Sequence, residues 1–202
     1  MYNKGISKEN LGEYPKALYY LFIALSLNSK SLNTYKAIAR VNRKNRPFLI
    51  AIGFYTKAIQ RFPNNAELYA LKADVHRKIK EFDEAIKCYD KAIELDYKNY
   101  EYYTKRAQIK YYINNIQGAI NDYNGAIIRN SKNSLLYSQR AFYNFEKKNY
   151  ENAKEDYTNA INLSNTNEHY YFMRGATEKL LNQDSEAEND FSKSLNLLPQ
   201  KD

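Results

Sequence analysis

Residues 66–99, AELYALKADVHRKIKEFDEAIKCYDKAIELDYKN, decide the fold. Leu68, Tyr69, Ala73, Val75, His76 and Ile79 fall at helical spacing on one stripe, and Phe82, Ala85, Ile86, Tyr89, Ala92, Ile93 and Leu95 form a second. Lys80-Glu81 between them is too short and polar for anything but a tight turn, so the two helices pack antiparallel as a hairpin. Outward from this segment the same residues return every 34 positions. Tyrosine recurs at Tyr35, Tyr69, Tyr103, Tyr137 and Tyr171. Alanine recurs at Ala17, Ala51, Ala85, Ala119, Ala153 and Ala187, and a bulky residue follows four later, Tyr55, Tyr89, Tyr123 and Tyr157 among them. A fixed period of this length means one hairpin copied and stacked, which gives an all-α solenoid built from neighbour contacts.

Six copies fill the chain, at about 1–31, 32–65, 66–99, 100–133, 134–167 and 168–202, the first lacking its opening residues, and together they predict one elongated domain. The small residues remove bulk where the two helix backbones approach, while the tyrosines fill the remaining volume. Ala119→Leu should therefore cost about 1–3 kcal/mol by overpacking. Pro15 and Pro47 fall where second helices begin, and Pro63 and Pro199 just after they end, all positions that spare a backbone donor.

The pattern resembles the tetratricopeptide repeat, whose signature runs aromatic, small, aromatic, Ala, aromatic, Pro. Tyr103, Ala107, Ala119, Tyr123 and Ala126 carry the match in the fourth copy. The opening Trp of the family is Tyr throughout, and its closing Pro survives only at Pro63 and Pro199. The resemblance implies a right-handed superhelix in which the first helix of every hairpin lines a concave groove. It also implies a protein-interaction scaffold, not an enzyme, with no cofactor.

One departure has a partner. The position before the small residue, usually Leu in the family, is Arg106, Arg140 and Arg174 in the last three copies. Sixteen residues on stand Asp122, Asp156 and Asp190. This predicts structural salt bridges between the two helices of one hairpin, with Asp122 to Arg140 of the next copy as the competing geometry.

Charge is polarised. Residues 1–65 hold eleven Lys and Arg against Glu9 and Glu13, a balance of +9, whereas the remainder of the chain sums to −1. Lys36, Arg40, Arg43 and Lys44 share one face of a helix in the acid-free second copy, and like charges so placed repel. Arg77 and Lys78 hold the late positions of the third copy, while Tyr111, Tyr112, Phe142 and Phe145 occupy the corresponding face further on. The expected partner is an extended protein segment with carboxylates or phosphate at one end and apolar side chains at the other. Reversing the four cations to Glu should abolish its capture and leave melting intact. RNA held by phosphate contacts and stacking is the rival, and an architectural module that self-associates weakly through its ends is the third reading. The family's chaperone-tail clamp needs Asn and Lys where this chain has Arg40, Leu71 and Glu101, so that set does not fit.

Other chemistry is thin. One Cys and two His exclude a disulfide framework and a Cys/His zinc cluster. His76 is expected in the core, His169 on the groove face, and Cys88 packed as a small apolar group. No long apolar run predicts a membrane helix, and the N-terminal residues lack a signal-peptide pattern, so an intracellular, cytoplasmic protein is expected. Lys154, Asp184 and Glu188 replace apolar residues of earlier copies, which makes the last copy a polar end cap, with Leu195, Leu197 and Leu198 left as residual apolar surface.

Overall fold

The computed structural model describes residues 1–198. They form twelve α-helices and no strand. The chain divides into two compact units, Met1–Tyr97 and Lys98–Asp202. The first contains α1 (Tyr2–Asn10), α2 (Tyr14–Leu27), α3 (Leu32–Lys44), α4 (Phe48–Arg61), α5 (Ala66–Lys78) and α6 (Phe82–Leu95). The second contains α7 (Tyr100–Tyr112), α8 (Ile116–Arg129), α9 (Ser134–Glu146), α10 (Tyr150–Leu163), α11 (Glu168–Leu180) and α12 (Asp184–Leu197). Odd-numbered helices pair with the following even-numbered one, and each even-numbered helix of a unit also packs on the next odd-numbered helix of that unit.

Local chemistry fixes these boundaries. Ser31, Asn65, Asn99, Asn133 and Asn167 stand one period apart, and each side-chain oxygen accepts a hydrogen bond from a first-turn backbone N–H of the odd-numbered helix that follows. The turn inside each hairpin places one residue in the left-handed region: Gly12, Arg46, Lys80, Asn114, Lys148 and Asn182. That residue reverses the chain after the odd-numbered helix. Pro15 sits in the first turn of α2 and Pro47 caps α4, as their missing donors allow. Pro199 lies outside the described residues.

Packing follows the columns. Ala17, Ala51, Ala85, Ala119, Ala153 and Ala187 are fully buried. A Cβ on Gly5 would stand 2.7 Å from Leu21 Cγ, and one on Gly175 would stand 3.1 Å from the Ala187 carbonyl oxygen. The hairpin backbones are therefore close enough that only small residues fit, which is the basis of the Ala119→Leu expectation: a melt unchanged by that substitution would contradict it. Tyr55, Tyr89, Tyr123 and Tyr157 are fully buried, and desolvation pushes the Tyr55 hydroxyl up to about 12 and the others higher. Neighbouring hairpins share cores within each unit. Ala17 and Leu21 meet Ala37, Ile38 and Val41, while Tyr35, Ala51 and Tyr55 meet Leu68 and Val75. In the second unit Ala160 and Ile161 pack on Tyr170 and Tyr171.

Candidate functional site: the odd-helix faces

In the second unit the predicted Arg–Asp pairs form within their own hairpins. Arg106 Nε donates to Asp122 Oδ2 at 3.0 Å, Arg140 Nε to Asp156 at 2.8 Å and Arg174 Nε to Asp190 at 2.6 Å. In each, Nη2 reaches the other carboxylate oxygen, so the pair is two-pronged. The competing pairing finds a different expression. Arg140 Nη1 donates to Asn124 and Arg174 Nη1 to Thr158, both on the preceding even-numbered helix. One arginine thus ties three helices. The aspartates are buried, which makes these groups structural.

The cations of the first unit are more engaged than helix-face spacing suggests. Glu9 of α1 is buried, its side chain 1% exposed. Arg40 Nε and Nη2 donate to its two oxygens at 2.7 Å each, and Lys44 Nζ lies 2.9 Å away. Burial alone would raise Glu9, but the hydrogen bonds from Arg40 and Lys44 outweigh it and hold the carboxyl below the usual glutamate range. Lys36 pairs with Glu67 of α5. Both Glu9–Arg40 and Lys36–Glu67 are 31 residues apart, the step between adjacent odd-numbered helices. The expectation that reversing Lys36, Arg40, Arg43 and Lys44 leaves melting intact is therefore corrected: it would strand Glu9 among negative charges in a buried seam.

Three cations nearby remain outside such pairs. Among the described residues Arg43, Arg46 and Lys78 make no ion pair, and Arg43 Nε is buried with no hydrogen-bond partner. Arg77 lies 3.8 Å from Asp74, with its Nε also buried and unpartnered. Arg43, Lys44, Arg46, Phe48 and Lys78 line a recess of about 450 Å³ at the hairpin turns. Arg46 and Phe48 were not among the sequence candidates. The signal available for Arg46 was its place in the acid-free second copy, beside the turn proline.

In the second unit the odd-numbered helices carry aromatic residues at the corresponding positions. Tyr111 packs on Phe142 and Tyr143, with ring centroids 5.6 and 4.8 Å apart. Phe145 packs on Tyr150 and joins the core of Ala141, Ala153 and Tyr157. Tyr112 is mostly exposed. Phe172 is half exposed and, with His169, Phe191, Leu195 and Leu198, lines an apolar recess of about 420 Å³. Leu197 packs against the Tyr170–Tyr171 core, whereas Leu195 and Leu198 stay exposed.

The remaining polar residues serve structure. His76 is buried and its Nδ1 lies 2.6 Å from Glu81 across the turn. Cys88 is partly buried, and that burial pushes its thiol up, away from reactive thiolate. Among the described residues no group of three or more His, Cys, Asp or Glu could hold a metal ion, and no helix is long and apolar enough to cross a membrane.

Repeated hairpins with small residues at the backbone contact and an odd-helix face of varied chemistry define a helical-repeat binding protein. Models of the tetratricopeptide repeat match residues 66–96 and 136–167, so the third and fifth hairpins are tetratricopeptide repeats. Solved structures show the same fold. The C-terminal part of a tetratricopeptide repeat-containing protein from Cytophaga hutchinsonii is 13% identical, with a TM-score of 0.84 over 98% of this chain and 79% of that one. MamA is 23% identical, with a TM-score of 0.74 over 82% of this chain and 91% of that one. YrrB, a tetratricopeptide-repeat protein with an unusual peptide-binding site, is 15% identical, with a TM-score of 0.72 over 89% and 93%. No curated protein matches in sequence. The fold supports a protein-interaction scaffold.

Proposed function

We propose that this chain is a non-enzymatic scaffold that binds an acidic, extended protein segment across the odd-helix face of its first unit. The observation that carries the reading is the set of cations left over once the seam has been built. Glu9 and Glu67 engage Arg40, Lys44 and Lys36, yet Arg43, Arg46 and Lys78 remain without an acid. Unpaired cations around a half-enclosed recess attract anionic partners and reject cationic ones. The odd-numbered face of the second unit, with Tyr112 and Phe172 exposed, offers apolar contact of the kind that anchors peptide side chains. The peptide-binding YrrB has the same fold, which makes the mode available without assigning it.

Panning a random peptide library against the native chain and against Arg46→Gly/Lys78→Ala tests this reading. Both substitutions lie on exposed residues, and glycine suits the left-handed turn that Arg46 occupies, so the fold is kept. Selected peptides should be rich in Asp and Glu and should lose at least tenfold in affinity on the variant. Enrichment of basic or purely apolar peptides that bind both proteins equally would overturn it. Tighter binding of single-stranded RNA than of any selected peptide, with a steep salt dependence, would transfer the site to nucleic acid.

A further inference from the structure

The recess at the turn of the second hairpin has a more specific chemistry than a general acidic attraction. Arg43 and Lys44 end α3, Arg46 occupies the left-handed turn position, Phe48 opens α4, and Lys78 ends α5. Four cations therefore converge from two helices and one turn on a space of about 450 Å³. Only Lys44 shares an acid, Glu9, and that acid is already held by the two prongs of Arg40. The local balance is close to three positive charges with no counter-charge in the wall.

Cations at the C-terminal ends of α3 and α5 offset those helices' dipoles, and this accounts for one or two of them. It does not account for Arg46, which lies beyond the helix end, nor for an arginine Nε buried without an acceptor at Arg43. Arg43 lines the recess and makes no ion pair, so an anion bound there would give its guanidinium a partner. The start of α4 opens at Phe48, and its capping residue Pro47 gives no side-chain hydrogen bond, so helix polarity there also favours an anion.

We propose that this recess binds a phosphomonoester, carried as a phosphorylated serine or threonine on the partner segment. The inference rests on the peptide-binding reading above. A phosphomonoester dianion, with three acceptor oxygens, matches this charge and this number of donors, whereas a carboxylate supplies one charge and two oxygens. Arginine is suited to two-pronged contact with phosphate, and two arginines line the recess. The Phe48 ring supplies apolar wall for the methylene of the phosphorylated side chain.

The test is a titration of the native chain, uniformly labelled with nitrogen-15, followed by amide shifts. The probe is a short Gly-Ala peptide with one central phosphoserine and no other acid. Controls are the same peptide with Glu at that position, inorganic phosphate, and a 5′-phosphorylated single-stranded RNA. The phosphoserine peptide should saturably shift the amides of Arg46, Phe48 and Lys78, and should bind at least tenfold more tightly than the Glu peptide and than inorganic phosphate. Arg46→Gly/Lys78→Ala should lower that affinity at least tenfold while its spectrum elsewhere stays native. Lowering the pH below about 6 should weaken binding as the second phosphate proton returns. Shifts absent from these residues, equal binding of the Glu peptide or of inorganic phosphate, or tighter binding of the RNA would each overturn the proposal. Because the probe carries no further acid, its result is separate from the library selection. Acidic peptides selected without any phosphoserine preference sink the phosphate site alone, and phosphoserine binding without selection of acidic peptides sinks only the broader reading.

Discussion

Asp156→Ala is expected to destabilise the second unit by about 3 kcal/mol, since removing one partner of a buried pair leaves the other charge uncompensated. Arg140 would keep Asn124 but lose both carboxylate oxygens, and Asn144 Nδ2 would lose its contact at 3.3 Å. For a chain of this size the melt should fall by roughly 6–12 °C. The second hairpin already contains an apolar answer to the same positions. Ile38 is fully buried and Phe54 packs beside it, one at each end of the 16-residue spacing that separates Arg140 from Asp156. Arg140→Ile combined with Asp156→Phe should therefore recover most of the loss, because a buried ion pair and a well-packed apolar pair differ little in net stability. A double variant as unstable as Asp156→Ala would show that the arginine's third bond, to Asn124, carries the hairpin contact instead.

Arg40→Glu is expected to be the most damaging single change in the first unit, at about 3–5 kcal/mol. It removes both prongs from a carboxylate that is 1% exposed and sets a like charge beside it. The pH dependence has a definite sign. Glu9 in the folded chain is held below its ordinary value, despite burial, by Arg40 and Lys44. Its stabilising contribution is complete above the unfolded glutamate value of about 4.3 and fades as pH falls through the lower folded value. The native chain should lose melting temperature more steeply than Glu9→Gln as the pH is taken below about 4.5. Parallel pH profiles for the two would contradict the assignment of Glu9 as the clipped group.

How much of this was written in the sequence depends on the range of the interaction. The hairpin boundaries were legible because alanine, tyrosine and the capping residues repeat at one spacing, and backbone approach tolerates few residue types. The Arg–Asp clips were legible for the same reason: their 16-residue separation is itself repeated three times. The Glu9–Arg40 pair was not, because it occurs once and joins different copies. Reading the face of α3 by itself shows four cations repelling each other, and the neighbouring α1 and α5 show why three of them are tolerated. Phe145 illustrates the same limit for aromatics. It shares a helix face with Phe142, yet its ring packs on Tyr150 and the core. Arg46 escaped notice because a turn position offers no periodicity.

In the proposed mode the odd-numbered helices of the first unit, not the even-numbered ones, meet the partner. Hydrogen exchange of the native chain, with and without a selected acidic peptide at saturation, measures this directly. Slowed exchange is predicted in Leu32–Lys44 and Ala66–Lys78, strongest in their last turns, with α2 and α6 unchanged. Protection confined to α2, α4 and α6, with α3 and α5 exchanging as in the free chain, would contradict it.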